Sequence, residues 1–214
     1  MAFKRQGRGV LEAAGLACER GDKRLFAGVG FTLEPGGLLF VHGPNGSGKT
    51  TLLRTLCGLS VPAAGEVRWE GESIQLLGED YRRHLSYLGH LNGLKDELTG
   101  LENLALTARM AGVAVQPEQI SDVLARLGVE HCQDLPTKYL SQGQKKRMAL
   151  ARFVLHRTRL WILDEAFVAL DVHAVDVLQR VVADHVESGG MVILTTHQTV
   201  DVPARRVQHV HLNS

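Results

Sequence analysis

The sequence has little of what nucleic-acid-binding proteins depend on. Only 5% of its 214 residues are aromatic, and 24 basic side chains are balanced by 23 acidic ones, which leaves a formal net charge of +1. Proteins that bind nucleic acid without regard to sequence use a basic excess, and those that bind single strands add aromatic stacking platforms. We therefore expect no nucleic-acid partner.

Cysteine is scarce, and no apolar run is long. The three cysteines, Cys18, Cys57 and Cys132, stand far apart and form no Cys-x-x-Cys pair. This spacing excludes a thioredoxin-like redox pair and a c-type haem attachment motif, and isolated thiols are usually buried. No apolar stretch approaches the ~20 residues of a membrane-spanning helix. Met1–Val10 lacks the apolar segment of a secretory signal, so we expect a cytoplasmic chain.

Three short apolar runs predict the strands of a parallel sheet. They are Leu38–Val41, Leu160–Leu163 and Met191–Leu194, and turn or polar residues bound each of them. Continuous apolar runs of this length are typical of strands that helices cover on both faces. The fold class that follows is α/β with a mainly parallel core.

Helix signals dominate the long stretch between the first two of these runs. Thr99 and Glu102 form a capping box, and Pro117 begins a second amphipathic helix that Gly128 ends. The chain length favours one domain with an insertion. We predict a single domain over 1–214, with its core at about 1–84 and 156–214 and a helical insertion at about 85–155.

A glycine-rich segment follows the first predicted strand and gives the clearest chemical signal. It runs Gly43-Pro44-Asn45-Gly46-Ser47-Gly48-Lys49-Thr50 and precedes a predicted helix. The pattern GxxxxGK[ST] between a strand and a helix is that of a phosphate-binding loop, in which backbone N–H groups and the helix N-terminus surround a polyphosphate. We expect Lys49 to contact the β- and γ-phosphates and the Thr50 hydroxyl to bind Mg²⁺.

Two acids and a histidine end the other two predicted strands. Asp164 is placed to hold Mg²⁺, often through water, and Glu165 to polarise a water for in-line attack on the γ-phosphate. His197 can hydrogen-bond the γ-phosphate or that water. Adjacent acids after an apolar run are common on surfaces, and the phosphate loop is what favours the catalytic interpretation. The other histidines, His209 and His211 among them, are predicted to be structural.

A second anion site is predicted at the segment Leu140–Gln144. Ser141 and Gln144 form a capping box, and Gly143 lies in the first turn of the helix that follows. The N-terminus of such a helix attracts anions. An ordinary capping box with a basic, solvated face is the alternative.

These motifs, in this order, resemble the ATP-binding cassette family. The resemblance implies a P-loop NTPase fold with an antiparallel N-terminal β subdomain, ATP and Mg²⁺ as ligands, and Glu165 as general base. It also implies a head-to-tail homodimer in which Ser141, Gly143 and Gln144 of one copy close on ATP held by the other. The matching segments are Gly43–Thr50 (Walker A), Leu140–Gln144 (signature), Leu160–Glu165 (Walker B), Phe167–Asp171 (D-loop) and His197 (switch histidine).

Further segments resemble the haem-exporter ATPases of cytochrome c maturation, a subfamily of these cassettes. This implies integral membrane partners of the haem exporter and a peripheral location at the cytoplasmic face of the bacterial inner membrane. An amino-acid or metal-chelate transporter ATPase, a non-transport cassette ATPase and a nucleotide-gated scaffold are the alternatives. The segments are Leu85–His90, Gly93–Lys95, Leu98–Thr99, Leu101–Leu104 and Gly189–Gln198.

Four positions depart from the general cassette pattern. His90 occupies the Q-loop position of glutamine, and we expect it beside the nucleotide site. Gln142 replaces the first signature glycine, and Ala166 stands where proline usually follows the base. Arg20 lies near the position of the adenine-stacking aromatic, so its guanidinium plane is expected to stack there, with Phe26 as a second candidate.

Overall fold

The structure is a computed structural model that describes residues 9–21, 23–198 and 200–212. Most of Met1–Val10, where the sequence predicts no secretory signal, lies outside these ranges. The strands are β1 (Leu11–Arg20), β2 (Lys23–Leu33), β3 (Gly37–His42), β4 (Ala64–Trp69), β5 (Glu72–Ser73), β6 (Leu85–Leu88), β7 (Leu160–Leu163), β8 (Met191–Thr195) and β9 (Arg206–His211). The helices are α1 (Lys49–Leu56), α2 (Ile74–Leu77), α3 (Glu79–Arg82), α4 (Gly100–Met110), α5 (Pro117–Arg126), α6 (Gln142–His156) and α7 (Val172–Glu187).

The described strands form two sheets. One is antiparallel in the order β2-β1-β4-β5, and the other is parallel in the order β6-β7-β8-β3-β9. The three strands predicted from apolar runs are the central strands of the parallel sheet. The α/β fold with an antiparallel N-terminal sheet is therefore confirmed.

Alternate residues of the central strands face two different apolar layers. Leu38 and Phe40 of β3 pack with α4 to α7, whereas Leu39 and Val41 pack with α1 and the antiparallel sheet. Successive side chains of a strand point to opposite faces, so one short run serves both layers. This double burial explains why β3, β7 and β8 are apolar almost throughout.

The predicted helix starts are present. Glu102 N–H donates to Thr99 Oγ1 (3.2 Å) and Thr99 N–H donates to Glu102 Oε2 (2.8 Å), which completes the capping box of α4. Pro117 is the first residue of α5, and Gly128 has a left-handed φ of 66° just after it. None of the helices in the described ranges is long and apolar enough to span a bilayer.

The first residues of the predicted helical insertion form a strand of the parallel sheet. Leu85–Leu88 is the edge strand β6 and pairs in parallel with Leu160–Leu163, so this segment belongs to the sheet. The stretch before it is also less helical than predicted, because Ala64–Trp69 and Glu72–Ser73 form β4 and β5. β4 buries only Val67 and Trp69, and neither residue of β5 is buried, so no continuous apolar run marks these strands. The division of the chain into a core and an insertion stays a prediction.

The three cysteines are buried and form no disulfide. Burial raises the pKa of the Cys132 thiol and holds the pKa of the Cys57 thiol far above its usual range. The thiols of Cys57 and Cys132 are therefore protonated and unreactive at neutral pH.

Candidate active site

The carboxyl ends of three neighbouring strands bring the predicted site residues together. The glycine-rich loop follows β3, the two acids follow β7, and His197 follows β8 by two residues. Two contacts join these segments: Thr50 Oγ1 donates to Asp164 Oδ2 at 2.7 Å, and His197 Nε2 lies 3.3 Å from Glu165 Oε1. Ligands of open parallel sheets bind at this edge.

The glycine-rich loop has a shape that only glycine permits at two positions. Gly48 has a left-handed φ of 96°, and a Cβ there would lie 2.9 Å from the ring of Phe26. A Cβ on Gly43 would lie 2.5 Å from Ser47 Oγ. The loop therefore turns tightly into α1.

Two buried polar groups of the loop fit a polyphosphate. Lys49 is only 7% exposed, and its ammonium donates to the carbonyls of Gly43 (2.8 Å) and Pro44 (3.1 Å). Ser47 Oγ is buried and has no hydrogen-bond partner among the described residues. Since phosphate oxygens accept hydrogen bonds from both kinds of donor, a bound polyphosphate would satisfy the hydroxyl and give the ammonium stronger partners.

Asp164 is buried, and its carboxylate is held at both oxygens. Oδ2 accepts from Thr50, and Oδ1 accepts from the hydroxyl of Thr195 at 2.8 Å. The Asp164 N–H donates to the carbonyl of Leu88 in β6 (2.8 Å). Hydroxyl and carboxylate oxygens are the ligands that Mg²⁺ prefers. The adjacent oxygens of Thr50 and Asp164 therefore fit this metal.

Glu165 has a left-handed backbone conformation, and two other residues form hydrogen bonds with its backbone. Its φ of 51° is left-handed, its N–H donates to Thr195 Oγ1 (2.9 Å), and its carbonyl accepts from Lys146 Nζ (2.7 Å). The Glu165 side chain is 31% exposed and the His197 side chain 45%. Both groups can thus reach a water molecule and an incoming phosphate.

Sequence reasoning missed Thr195 and Lys146. Thr195 is a polar residue at the end of an otherwise apolar strand, which is the signal that could have identified it. Lys146 lies in a basic run of α6 that suggests only a solvated face. Their contacts with Glu165 come from two separate elements, which spacing along the chain does not reveal.

The signature segment forms its predicted cap and contacts the D-loop. Gln144 N–H donates to Ser141 Oγ (3.2 Å) and Ser141 N–H donates to Gln144 Oε1 (2.9 Å). A Cβ on Gly143 would lie 2.9 Å from the carbonyl oxygen of Ala169, so glycine permits this close approach. In the described chain, the side-chain hydrogen bonds of Ser141 and Gln144 stay within this helix start and His131. Among the described residues, no side-chain hydrogen bond joins them to the glycine-rich loop of the same chain.

His90 and Arg20 lie outside the hydrogen-bonded cluster. His90 is exposed and follows β6 by two residues, at the same sheet edge as Asp164. Arg20 is the last residue of β1, and its side chain is exposed. Phe26 is only 3% exposed and its ring supports Gly48, so the second stacking candidate offers no free ring face.

Three imidazoles lie together in the structure, those of His42, His209 and His211, and we call them the His42 cluster. His42 Nε2 lies 2.8 Å from His209 Nδ1, and the His42 ring stacks on that of His211 with centroids 4.8 Å apart. Burial, followed by the neighbouring histidines, lowers the pKa of His42. No group of three or more metal-ligating side chains suited to a metal occurs among the described residues.

Comparison with known proteins gives consistent results. Residues 26–168 match the family model described as ABC transporter. The chain is 53% identical to the "Cytochrome c biogenesis ATP-binding export protein CcmA" of Dechloromonas aromatica, over 95% of this chain and 100% of that protein. An ABC transporter ATP-binding protein of Pyrococcus furiosus superposes with a TM-score of 0.83 at 26% identity, over 95% and 97% of the two chains. The dimeric ATP-binding cassette MJ0796, bound to ADP and phosphate, has the same fold (TM-score 0.78, 22% identity, 88% of each chain).

Proposed function

The chain belongs to the ABC transporter family of ATP-binding subunits, and from this premise we propose that it hydrolyses ATP to drive a haem-export complex in cytochrome c biogenesis. The cassette ATPase activity follows from the family. The specific role rests mainly on one observation, the 53% identity to a cytochrome c biogenesis export protein over 95% of the chain. The placement of Thr50, Asp164, Glu165 and His197 around one loop supports the chemistry.

The loop residues bind and orient the nucleotide. Backbone N–H groups of Gly43–Thr50 and the Lys49 ammonium would hold the β- and γ-phosphates, as the buried donors of this loop support. Thr50 and Asp164 would hold Mg²⁺, which supplies charge neutralisation for the transferred phosphoryl group.

Glu165 acts on the attacking water, and His197 acts on the γ-phosphate. The Glu165 carboxylate takes a proton from the water as its oxygen forms a bond to the γ-phosphorus, while the bond to the β-phosphate oxygen breaks and ADP leaves. His197 donates a hydrogen bond to the γ-phosphate. The 3.3 Å separation of the two side chains supports this division of roles, since both can contact one small region.

A second copy of the chain completes the site. Ser141, Gly143 and Gln144 would close on ATP held by the loop of the partner, because the single chain does not join these residues to its own loop. Ser141 Oγ only accepts within its cap, so its hydrogen stays free to donate to a phosphate oxygen. The dimeric state of the cassette MJ0796 is consistent with this arrangement. Arg20 would stack on the adenine, and His90 would contact the γ-phosphate side of the site.

The complex would hold the chain at the cytoplasmic face of the bacterial inner membrane through integral membrane subunits. The test is affinity purification from bacterial membranes, with identification of the proteins that accompany the chain. We expect membrane subunits of cytochrome c biogenesis, and a strain without this chain should lose covalent haem in its c-type cytochromes. Co-purification with amino-acid or metal-chelate permease subunits, and normal cytochromes in that strain, would contradict the haem role.

A further inference from the structure

We propose that Thr195 and Lys146 are positioning residues that hold the Glu165 peptide from its two sides and thereby aim the carboxylates of Asp164 and Glu165. The proposal rests on the proposed role of Glu165 as the base. It assigns a function to two side chains on separate elements, β8 and α6, that both contact the Glu165 backbone.

Thr195 connects the metal-binding carboxylate to the base. Its side chain is fully buried at the end of β8, where the hydroxyl donates to Asp164 Oδ1 (2.8 Å) and accepts from the Glu165 N–H (2.9 Å). A hydroxyl has one hydrogen to donate and lone pairs to accept, so both contacts are satisfied at once. Because Oδ1 is held by Thr195, Oδ2 is turned toward Thr50 and the Mg²⁺ position.

Lys146 holds the other side of the same peptide. Its ammonium donates to the carbonyl of Glu165 (2.7 Å) and to that of Val168 (3.2 Å). Burial lowers the pKa of Lys146, although the nearby Glu165 and Asp164 charges act in the opposite direction. Lys146 thus connects α6, whose N-cap is Ser141, to the backbone of Glu165 and Val168.

Glu165 needs this support because of its own conformation. A left-handed φ of 51° is unfavourable for a residue with a Cβ, and the following residue is Ala166 rather than a proline that would restrict the chain. Without both hydrogen bonds the peptide can relax to an ordinary φ, which redirects the side chain away from His197. A misplacement of about 1 Å can lower a rate by roughly 100-fold.

The first test compares Thr195→Val with Thr195→Ser in the full-length protein. Thr195→Val should lower kcat for ATP hydrolysis by about 10- to 100-fold. It should also raise the Mg²⁺ concentration for half-maximal binding of a non-hydrolysable ATP analogue, with KM for ATP changed less than about 3-fold. Thr195→Ser keeps the hydroxyl and should restore both. Rates are normalised to folded nucleotide-binding sites, so a purely structural defect would leave kcat per site unchanged. Unaltered kcat and Mg²⁺ dependence in Thr195→Val would overturn the proposal.

The second test compares a substitution of Lys146 with the same substitution of a neighbouring lysine. It tests the proposal even if Thr195→Val fails to fold. Lys145 precedes Lys146 on α6, but its ammonium pairs with the carboxylate of Asp96 (2.9 Å) and not with the Glu165 backbone. Lys146→Met should lower kcat about 10-fold with little change in analogue binding, whereas Lys145→Met should stay within about 2-fold. Equal effects of the two substitutions would contradict a specific role for Lys146.

Glu165→Gln separates failure of this proposal from failure of the proposed function. If wild-type protein hydrolyses ATP and Glu165→Gln does not, normal rates in Thr195→Val and Lys146→Met overturn the positioning role alone. If Glu165→Gln stays active, the base assignment fails. A loss in Thr195→Val would then act through Asp164 only, which contradicts a clamp on Glu165.

Discussion

The hydroxyl of Thr50 donates a 2.7 Å hydrogen bond to Oδ2 of Asp164, although 114 positions separate the two residues. The first residue is in the opening turn of α1 and the second leaves β7, so the sheet edge alone brings them together. This contact places the two predicted Mg²⁺ ligands side by side beside the phosphate loop. The site can therefore be tested through substitutions of Lys49 in the loop, Ser141 in the signature segment and Glu165, the proposed base.

Lys49→Met should weaken ATP binding, because it removes the main side-chain charge proposed to hold the β- and γ-phosphates. Loss of a charge-assisted hydrogen bond costs about 1.5–3 kcal/mol, so we expect a roughly 10- to 100-fold higher Kd. The measurement is titration with a fluorescent ATP analogue. Lys145→Met is the matched control, and an unchanged Kd in Lys49→Met would show that the loop binds no polyphosphate through this residue.

Ser141→Ala and Thr99→Ala remove equivalent capping boxes, but only Ser141 is proposed to contact ATP. Each substitution should lower the free energy of unfolding by about 1 kcal/mol, through loss of the N-cap hydrogen bond. Only Ser141→Ala should also lower ATPase activity and ATP-induced dimerisation. Chemical denaturation, phosphate release and light scattering give the three readouts. Equal activity losses in the two variants would assign the effect to helix stability instead.

Acid should destabilise the fold through His185. This imidazole stacks on Trp161 with centroids 3.8 Å apart, and burial lowers its pKa from 6.5 to about 4. Because the unfolded chain takes up this proton at a higher pH than the folded one, stability is full above pH 6.5 and falls as the pH drops toward 4. The loss is at most about 3 kcal/mol.

Urea unfolding between pH 7.5 and 4.5 measures this loss. His185→Phe should flatten the pH dependence of the free energy of unfolding, since it removes the titrating group and keeps a ring on Trp161. His173 lies on the exposed face of the same helix, so His173→Gln should leave the slope as in the wild type. A slope that His185→Phe does not change would assign the acid sensitivity to other groups, such as the His42 cluster.

Much of the catalytic edge could be predicted from sequence because its signals are local. The phosphate loop needs eight consecutive residues between a strand and a helix. The apolar run Leu160–Leu163 predicts a strand, and the two acids directly follow it. The capping boxes at Thr99 and Ser141 are equally local, since each closes within four residues.

Other parts depend on contacts that no local pattern encodes. The pairing of β1 with β2 shifts register at several points, so apolar and polar residues do not alternate regularly in these strands. Only the family resemblance predicts the antiparallel sheet. Leu85–Leu88 is an edge strand that the sequence does not indicate, because Ser86 interrupts its apolar run. The roles of Thr195 and Lys146 arise only where β8 and α6 meet the Glu165 backbone.

The most direct test of the account is the rate of phosphate release by Glu165→Gln, measured together with its oligomeric state in Mg-ATP. Glu165 adjoins Asp164, the proposed Mg²⁺ ligand, but has no proposed role in holding the nucleotide. The account predicts normal ATP binding, a turnover reduced by about 100- to 10,000-fold, and a stable dimer that forms with ATP and separates when ATP is removed. Near-normal hydrolysis by this variant would contradict the assignment of Glu165 as the base and would make His197 the next residue to test.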